Sequence, residues 1–264
     1  MSISFCSFSS GSSGNSYLVK SGTTALLIDA GISGRRIIEG LNHSGTLLED
    51  VKGILVTHEH GDHIKSLNTI TKKLPNVIAY ANENTWSLIE NKIAETKKKV
   101  FKTGEIFDIG DIHVKPFNIS HDAIEPVGFS FYCEGNQISI VTDTGHITEE
   151  IYEEIIDADI LVLESNHDVN MLKMCRYPWS VKQRILGMEG HLSNEDAGGI
   201  LCRLITGKSK KRQVLLAHLS RENNFPEMAL QTIKNLLQEA DFYIGKNINI
   251  EMILKDQISE IYYL

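Results

Sequence analysis

The sequence predicts an α/β protein of four layers, in which two β-sheets pack face to face and helices cover their outer faces (αββα). Three observations support this prediction. Short apolar runs alternate with segments of helical periodicity, the strand candidates fall into two groups, and no linker, short-period repeat or low-complexity tract divides the chain. With 264 residues, 42% of them apolar, the chain is long enough for one sizeable core, so we expect a single domain over residues 1–264.

In the first half, short apolar runs predict strands and recurring apolar positions predict helices. The run before residue 58 is typical of a buried strand. A helix that begins near His63 is expected to end before Pro75, because proline cannot continue a helix. The expected strands are 2–8, 15–20, 24–29, 53–57 and 76–80, and the expected helices are 33–42, 63–74 and 83–94.

The second half repeats this alternation of strands and helices. Pro226 favours a helix start, since proline fits the first helical turn. The expected strands are 112–120, 127–133, 137–142, 159–164, 213–218, 248–254 and 258–263, and the expected helices are 148–156, 178–188, 194–206 and 226–239.

Composition limits the classes of protein to which the chain can belong. The four cysteines are scattered and form no C-x-x-C pair, which predicts buried free thiols in a reducing cytoplasm. The first residues lack the pattern of a signal peptide, and no apolar run reaches the length of a membrane span, so we expect no membrane partner. A net charge of −8 argues against a general nucleic-acid coat. It does not exclude a nuclease, because acidic residues at a metal site count toward that total.

The segment 58–63, His-Glu-His-Gly-Asp-His, places three imidazoles and a carboxylate in one short loop. Such ligands suit zinc, manganese and iron. Alternate residues of an extended loop point the same way, so His58 and His60 can hold one ion, while Asp62 and His63 can hold a second. Three further polar residues interrupt apolar patterns at strand ends and are candidate ligands: His121, Asp143 and His218.

These motifs resemble those of the metallo-β-lactamase-fold hydrolases, and the resemblance is strongest to the YycJ/WalJ group of nuclease-like proteins. The signature is His58-x-His60-x-Asp62-His63 after an apolar strand. The similar segments cover the chain nearly end to end: 10–15, 27–31, 58–63, 120–122, 127–129, 141–146, 163–168, 190–194 and 216–224. The resemblance implies the αββα sandwich, with an active site at one end of the sheets.

The resemblance also implies a ligand set for two divalent ions, zinc or manganese, with iron as a third candidate. His58, His60 and His121 would hold the first ion. Asp62, His63 and His218 would hold the second, and Asp143 would bridge the two. The ions would share a hydroxide that acts as the nucleophile, and Asp62 would also help to orient it. Asp29 is implied to support the metal loop by hydrogen bonds.

Further residues are candidates for substrate contacts. His191 lies in a segment that resembles the phosphate-contacting motif of ribonuclease J-like nucleases, and it would contact a phosphate or donate a proton to the leaving oxygen. Glu164 would orient His191. Ser193 would bind substrate or cap the helix that follows. Arg221 and Asn223, which follow His218, are natural phosphate contacts, although they could simply form the loop before the next helix.

Only 74 residues separate Asp143 from His218, too few for the large cap domain of the ribonuclease J-like enzymes, so we expect no separate cap. Residues 165–192 could form a small lid instead, with aromatic residues that stack on bases. The leading hypothesis is a two-metal 5′ to 3′ DNA exonuclease with a role in DNA repair, for which DNA is favoured over RNA. A thioester or lactone hydrolase and a non-catalytic metal-binding regulator are the alternatives. The sequence does not identify protein partners.

Overall fold

The computed structural model of the chain describes residues 2–89, 93–208 and 210–264. The strands are β1 (Ile3–Ser9), β2 (Ser16–Ser21), β3 (Thr24–Ile28), β4 (Val51–Leu55), β5 (Ile78–Ala81), β6 (Lys98–Val100), β7 (Phe107–Ile109), β8 (Ile112–Asn118), β9 (Val127–Cys133), β10 (Asn136–Val141), β11 (Ile160–Glu164), β12 (Gln213–Ala217), β13 (Asn249–Met252) and β14 (Tyr262–Tyr263). The helices are α1 (Gly34–His43), α2 (Gly61–Ile64), α3 (Leu67–Lys73), α4 (Glu83–Leu88), α5 (Glu149–Ile155), α6 (Val169–Met174), α7 (Trp179–Leu186), α8 (Asn194–Gly207) and α9 (Pro226–Glu239).

The chain forms two compact units. Unit 1 comprises residues 1–118, 123–136 and 255–264, and unit 2 comprises residues 119–122 and 137–254. The single domain expected over residues 1–264 stays a prediction.

Unit 1 contains a mixed sheet with the strand order β14-β1-β2-β3-β4-β5-β6. The strands from β14 to β3 are antiparallel, and those from β3 to β6 are parallel. Ile28 at the end of β3 lies opposite Leu55 at the end of β4. This register brings the residues that follow β3 beside the loop that follows β4, which is the loop 58–63. Unit 1 also carries the antiparallel strands β7, β8 and β9.

The core of unit 1 is an apolar cluster in which helices pack against the sheet. Ile37 and Leu41 of α1 and Ile70 of α3 are fully buried in one cluster with side chains of the sheet. The spacing of Ile37 and Leu41, four residues apart, places both on one face of α1.

Unit 2 contains four parallel strands in the order β10, β11, β12 and β13. Val141, Leu163 and Leu216 lie opposite one another in three neighbouring strands. The residues that follow these positions therefore meet at the carboxyl edge of the strands, where open α/β sheets bind their ligands.

Most predicted elements are present, and the differences have local causes. The helix 226–239 was predicted at its true bounds. The helix predicted over 63–74 is wrong in its continuity: it is broken between α2 and α3, because the amide of Ser66 donates to the carbonyl of Ala30 rather than to its own helix. The helix predicted over 83–94 ends at Leu88, and residues 90–92 of that prediction lie outside the described residues. Helix α6 and strands β6 and β7 were not predicted.

Among the residues that the structure describes, no helix is both long enough and apolar enough to cross a membrane. The four cysteines are free thiols. Cys6 and Cys133 are buried, as predicted, whereas the prediction of burial is wrong for Cys175 and Cys202, which are partly exposed.

Candidate metal centre

The loop after β4 gathers three imidazole rings in unit 1. The ring centroid of His58 lies 4.6 Å from that of His60 and 4.0 Å from that of His63. His58 and His63 are fully buried, whereas His60 is partly exposed and precedes the first turn of α2. The carboxylate of Asp62 lies 3.7 Å from Nε2 of His63. The three imidazole rings of the loop therefore lie close together, while the ion that each would hold stays a prediction.

Asp29, directly after β3, fixes this loop through three contacts. Its Oδ1 accepts a hydrogen bond from the backbone amide of Thr57 at 2.9 Å. Its Oδ2 accepts from the Thr57 hydroxyl at 2.9 Å and lies 2.7 Å from Nδ1 of His63. Burial raises the pKa of Asp29, and the neighbouring His63 opposes that effect. The contact assigns the ring proton of His63 to Nδ1, which leaves Nε2 as the nitrogen with a lone pair.

Two further segments clamp the same loop. The amide of Asn15 donates to the carbonyl of Asp62, and the amide of Ala30 donates to the carbonyl of His63. Gly31 packs so closely on the backbone of Asp62 that a Cβ there would lie 1.6 Å from the Asp62 carbonyl oxygen. Only glycine allows this approach, so the glycine at residue 31 helps to set the position of the loop.

In unit 2, the carboxylate of Glu164 contacts two predicted site histidines, His191 and His218. Its Oε1 lies 2.8 Å from Nδ1 of His191 and 2.7 Å from Nδ1 of His218. Its Oε2 accepts hydrogen bonds from the backbone amides of Thr144 and Leu192. Glu164 is fully buried, and each of its oxygens accepts two hydrogen bonds. The carboxylate therefore sets the orientation of both rings.

The charges of this group shift one another's pKa values. Burial alone would raise the pKa of Glu164, but the charge of His191 and the hydrogen bonds from the two histidines hold it well below its usual range. For His191, burial alone would lower the pKa. The charge of Glu164 and its hydrogen bond outweigh burial and raise the pKa of His191 to about 9.

Asp143 completes the cluster in unit 2. Its Oδ1 lies 3.4 Å from Nε2 of His218 and 3.9 Å from Nδ1 of His191. One ligand atom from each of Asp143, Glu164, His191 and His218 lies within 4.8 Å of the other three. His121 lies next to this cluster, with its ring centroid 5.1 Å from that of His191. Its Nδ1 lies 3.2 Å from the carbonyl oxygen of Gly190, and burial lowers its pKa.

Three of the predicted residues share an uncommon backbone conformation. Asp29, Asp143 and His218 have φ values of 61°, 60° and 56°. This left-handed region is disfavoured for residues other than glycine, although aspartate and histidine tolerate it better than most. Each of the three lies just after a buried strand. Residues held in such conformations cluster at functional sites, where the surrounding structure determines them.

The donor set fits divalent metal ions. His58, His63, His121 and His218 each direct Nδ1 at an oxygen: Thr57 Oγ1, Asp29 Oδ2, Gly190 O and Glu164 Oε1. In a neutral imidazole that donates from Nδ1, Nε2 is the acceptor and can bind a metal. Metal-binding histidines in proteins show this same arrangement, in which the second nitrogen donates to a carboxylate, hydroxyl or carbonyl. The residues of each unit therefore have the chemistry that zinc and manganese require.

The predicted substrate contacts occupy varied positions. Ser193 caps α8 by accepting a hydrogen bond from the amide of Asp196. Asn223 is buried, and its carbonyl accepts from the amide of Asp168. Arg221 is exposed. His191 is 14% exposed at its side chain, so a substrate can reach the ring. The structure does not test any of these roles, which stay predictions.

Sequence reasoning did not identify three residues that organise the centre. Thr57 links Asp29 to His58, and Asn15 donates from Nδ2 toward Nε2 of His63 at 3.1 Å. Asn166 donates to the carbonyl oxygen of His218 at 2.9 Å. Each is a buried polar residue beside a predicted ligand, and that position is the signal that could have found it.

His167 is a further buried polar residue of unit 2. Neither of its ring nitrogens has a hydrogen-bond partner among the described residues, and burial lowers its pKa to about 4. The ring is therefore neutral in the folded chain above about pH 4.

Comparisons with known proteins now identify the family. The family model described as "Beta-lactamase superfamily domain" matches residues 24–219. Exodeoxyribonuclease YycJ of Bacillus anthracis is 40% identical over 253 residues, which cover 95% of both chains. The chain therefore belongs to the β-lactamase superfamily that this model describes. Exodeoxyribonuclease WalJ of Streptococcus pneumoniae is 38% identical over 246 residues, which cover 91% of this chain and 90% of that protein.

Solved structures show the same fold at low sequence identity. The metallo-β-lactamase-fold protein YhfI of Bacillus subtilis has a TM-score of 0.74 and 15% identity, with all of both chains covered. A diphosphatase of the PhnP family has a TM-score of 0.68 and 16% identity, and the match covers all of this chain and 98% of the diphosphatase. These likenesses confirm the predicted fold class, two mixed sheets flanked by helices. Membership of the YycJ/WalJ group confirms the prediction of a metal-dependent hydrolase.

Proposed function

We propose that this chain is a metal-dependent exodeoxyribonuclease that degrades DNA from the 5′ end. The observation that carries the proposal is the shared orientation of His58, His63, His121 and His218, which all direct Nδ1 at a protein oxygen, so that Nε2 is the nitrogen whose lone pair a metal would take. The names of the two relatives, both exodeoxyribonucleases, support the choice of DNA as substrate. The role in DNA repair and the cytoplasmic location stay predictions.

The ligand assignment made from the sequence is kept as part of the proposal. His58, His60 and His121 would hold one ion, and Asp62, His63 and His218 would hold the other, with Asp143 shared. Bound zinc or manganese would lower the pKa of water and offset the charge that develops on the phosphoryl oxygens.

The chain's own residues would handle the substrate. His191 is accessible at its ring, whereas Glu164, which holds its Nδ1, is fully buried. This arrangement fixes the ring and directs Nε2 away from the carboxylate. We propose that Nε2 of His191 contacts the phosphate or gives a proton to the leaving oxygen. Arg221, which is exposed two residues before the buried Asn223, would contact the DNA backbone.

A nuclease assay tests the proposal. Duplex and single-stranded DNA and RNA, labelled at the 5′ or the 3′ end, are incubated with the protein and added Mn²⁺ or Zn²⁺. We expect release of short labelled products from 5′-labelled DNA. The double variant Asp62→Ala, His63→Ala is the control for contaminating nucleases. If metal-loaded wild-type protein cleaves none of these substrates, the proposal is wrong, and a thioester and lactone panel would test the small-molecule hydrolase alternative.

His191→Ala separates the two hydrolase classes further. In a nuclease this change should reduce kcat by 10²- to 10⁴-fold, the usual contribution of a proton donor. A thioesterase that lacks a phosphate to contact should lose much less. His113→Ala, an exposed histidine that pairs with Asp108, is the matched control and should leave activity unchanged.

A further inference from the structure

The segment Val169–Met188, which holds α6 and α7, differs in charge from the rest of the chain. It contains four basic residues, Lys173, Arg176, Lys182 and Arg184, and no acidic residue, in a chain whose net charge is −8. Lys182 is buried and donates to the carbonyls of residues 173 and 175, so it holds the turn between α6 and α7. Lys173 and Arg176 are exposed. The segment therefore presents positive charge to solvent.

The same segment exposes large apolar side chains. Trp179 is 62% exposed at the start of α7, and Met174 is 86% exposed at the end of α6. An indole with most of its surface in water has no role in the core of the unit. Trp179 follows the exposed Lys173 and Arg176 by six and three residues. Exposed aromatic rings and cations together bind single-stranded nucleic acid, since the rings stack on bases and the cations follow the phosphates.

The end of this segment contacts residues of the proposed active site. The amide of His191 donates to the carbonyl of Ile185 at 3.0 Å, and Nδ1 of His121 lies 3.2 Å from the carbonyl of Gly190. Arg184 forms an ion pair with Asp122 at 2.7 Å. At 1.5 Å per residue, Trp179 lies about 9 Å along the helix axis from Ile185. That distance is roughly two or three nucleotides of a strand.

We propose that the surface formed by Lys173, Arg176 and Trp179 binds unpaired nucleotides of the DNA strand, with the Trp179 indole stacked on a base. Unpaired bases are required because the faces of paired bases are already stacked within a duplex. This proposal rests on the proposed function for the identity of the strand. It would explain how a chain that lacks a separate cap domain among its described residues still holds its substrate.

Intrinsic fluorescence tests the proposal independently of cleavage. The chain has two tryptophans, Trp86 and Trp179. The indole of Trp86 is held by a hydrogen bond to the carbonyl of Lys99. In Trp86→Phe protein without metal, a twelve-nucleotide oligodeoxythymidylate should quench the emission of Trp179. In Trp179→Phe protein the same oligonucleotide should leave the emission of Trp86 unchanged. Quenching of Trp86 alone, or of neither residue, would overturn the proposal.

Affinity measurements by anisotropy supply the second arm. Trp179→Ala should weaken binding of the labelled oligonucleotide about tenfold, or about 1.4 kcal/mol, while Trp179→Phe should stay within about threefold of wild type because a phenyl ring also stacks. Arg176→Gln should lower the slope of log Kd against log salt by about 0.7. Equal affinity of wild type and Trp179→Ala would refute the proposal. Blunt duplex DNA should bind without the Trp179 signal, and oligouridylate serves to compare RNA with DNA.

Cleavage of a small phosphodiester separates this proposal from the proposed function. Trp179→Ala should hydrolyse bis(4-nitrophenyl) phosphate at the wild-type rate, because that small substrate does not extend along α7 as far as Trp179. If wild-type protein binds the oligonucleotide through Trp179 but hydrolyses no phosphodiester, the proposed function fails and this inference stands. If it hydrolyses DNA equally well with and without Trp179, the inference fails and the proposed function stands.

Discussion

Asp29 offers the sharpest test of how the chain organises its metal loop. Its two oxygens accept from the amide and hydroxyl of Thr57 and hold Nδ1 of His63 at 2.7 Å. In Asp29→Asn, Oδ1 can still accept from the Thr57 amide, and asparagine tolerates the left-handed backbone at residue 29. The new amide group would then face Nδ1 of His63 with a donor. The His63 proton would have to move to Nε2, the nitrogen that we assign to the metal.

The expected size of this effect follows from similar changes at metal sites. Loss of a carboxylate that orients a metal-binding histidine costs about 10- to 100-fold in metal affinity, which is about 1.4–2.8 kcal/mol. Asp29→Ala should be more severe for stability. It leaves the buried Thr57 amide without an acceptor, at about 1–3 kcal/mol, and places alanine in a left-handed conformation, at about 1–2 kcal/mol. We expect a total loss of about 2–5 kcal/mol in the free energy of unfolding.

Zinc affinity by competition with a chromophoric chelator, together with urea unfolding, measures both quantities. Asp241→Asn is the matched control, because Asp241 has nearly the same φ, 60°, but is exposed. We expect Asp241→Asn to behave like wild type in both assays. If Asp29→Asn binds zinc as tightly as wild type, then Asp29 does not set the tautomer of His63 and the reasoning is wrong. Equal losses in Asp29→Asn and Asp241→Asn would instead trace the effect to the backbone.

Other contacts lead to four shorter predictions. In Gly31→Ala the new Cβ would meet the backbone of the metal loop, so zinc affinity should fall more than tenfold, and unchanged zinc affinity would refute this. In the control Gly199→Ala nothing lies within 4 Å of the new Cβ, and the free energy of unfolding should rise by about 1 kcal/mol. The raised pKa of His191 should stabilise metal-free protein below about pH 6.5, with the benefit lost as pH rises to about 9. Urea unfolding of wild type and His191→Gln should show that slope only in wild type, and a flat wild-type profile would contradict it. Burial raises the pKa of Cys6 to about 11, so iodoacetamide should modify the partly exposed Cys175 well before Cys6 in native protein. Peptide mass mapping would show this order, and early labelling of Cys6 would contradict its burial. Dialysis against EDTA should abolish nuclease activity and Mn²⁺ or Zn²⁺ should restore it; activity that survives full metal removal would exclude metal-dependent catalysis.

The sequence predicted the strands that carry the centre because their apolar runs are long and bounded by turn residues. It could not predict where a tertiary contact would interrupt a helix. At Ser66, for example, the amide donates a hydrogen bond to the carbonyl of Ala30 in a distant segment. Edge strands such as β6 and β7 have three residues each and carry too little periodicity to be recognised. Local pattern therefore predicted elements well and interruptions poorly.

The candidate ligands were also predictable, because a histidine or aspartate at the end of an apolar run stands out. The supporting contacts were not. Thr57 looks like an ordinary strand residue, and its contacts with Asp29 and His58 depend on the register of β3 against β4. Glu164 was predicted to orient His191, but its equal contact with His218 follows only from the parallel register of β11 and β12.

The left-handed residues and the buried carboxylate lead to one physical conclusion. A fold that only needed to end its strands could place glycine at residues 29, 143 and 218, at no steric cost. Instead it holds two aspartates and a histidine in a disfavoured conformation, and it buries Glu164 among histidines, where the desolvation of a carboxylate is costly. Natural sequences violate local rules mainly at functional sites. Asp29, Asp143 and His218 are expected to support or hold the metals and Glu164 to orient His191, whereas Glu134 and Asp241, which also have positive φ, are not among the expected site residues. The energetic cost of these positions is therefore independent support for the proposed centre, since it does not depend on any relative's name.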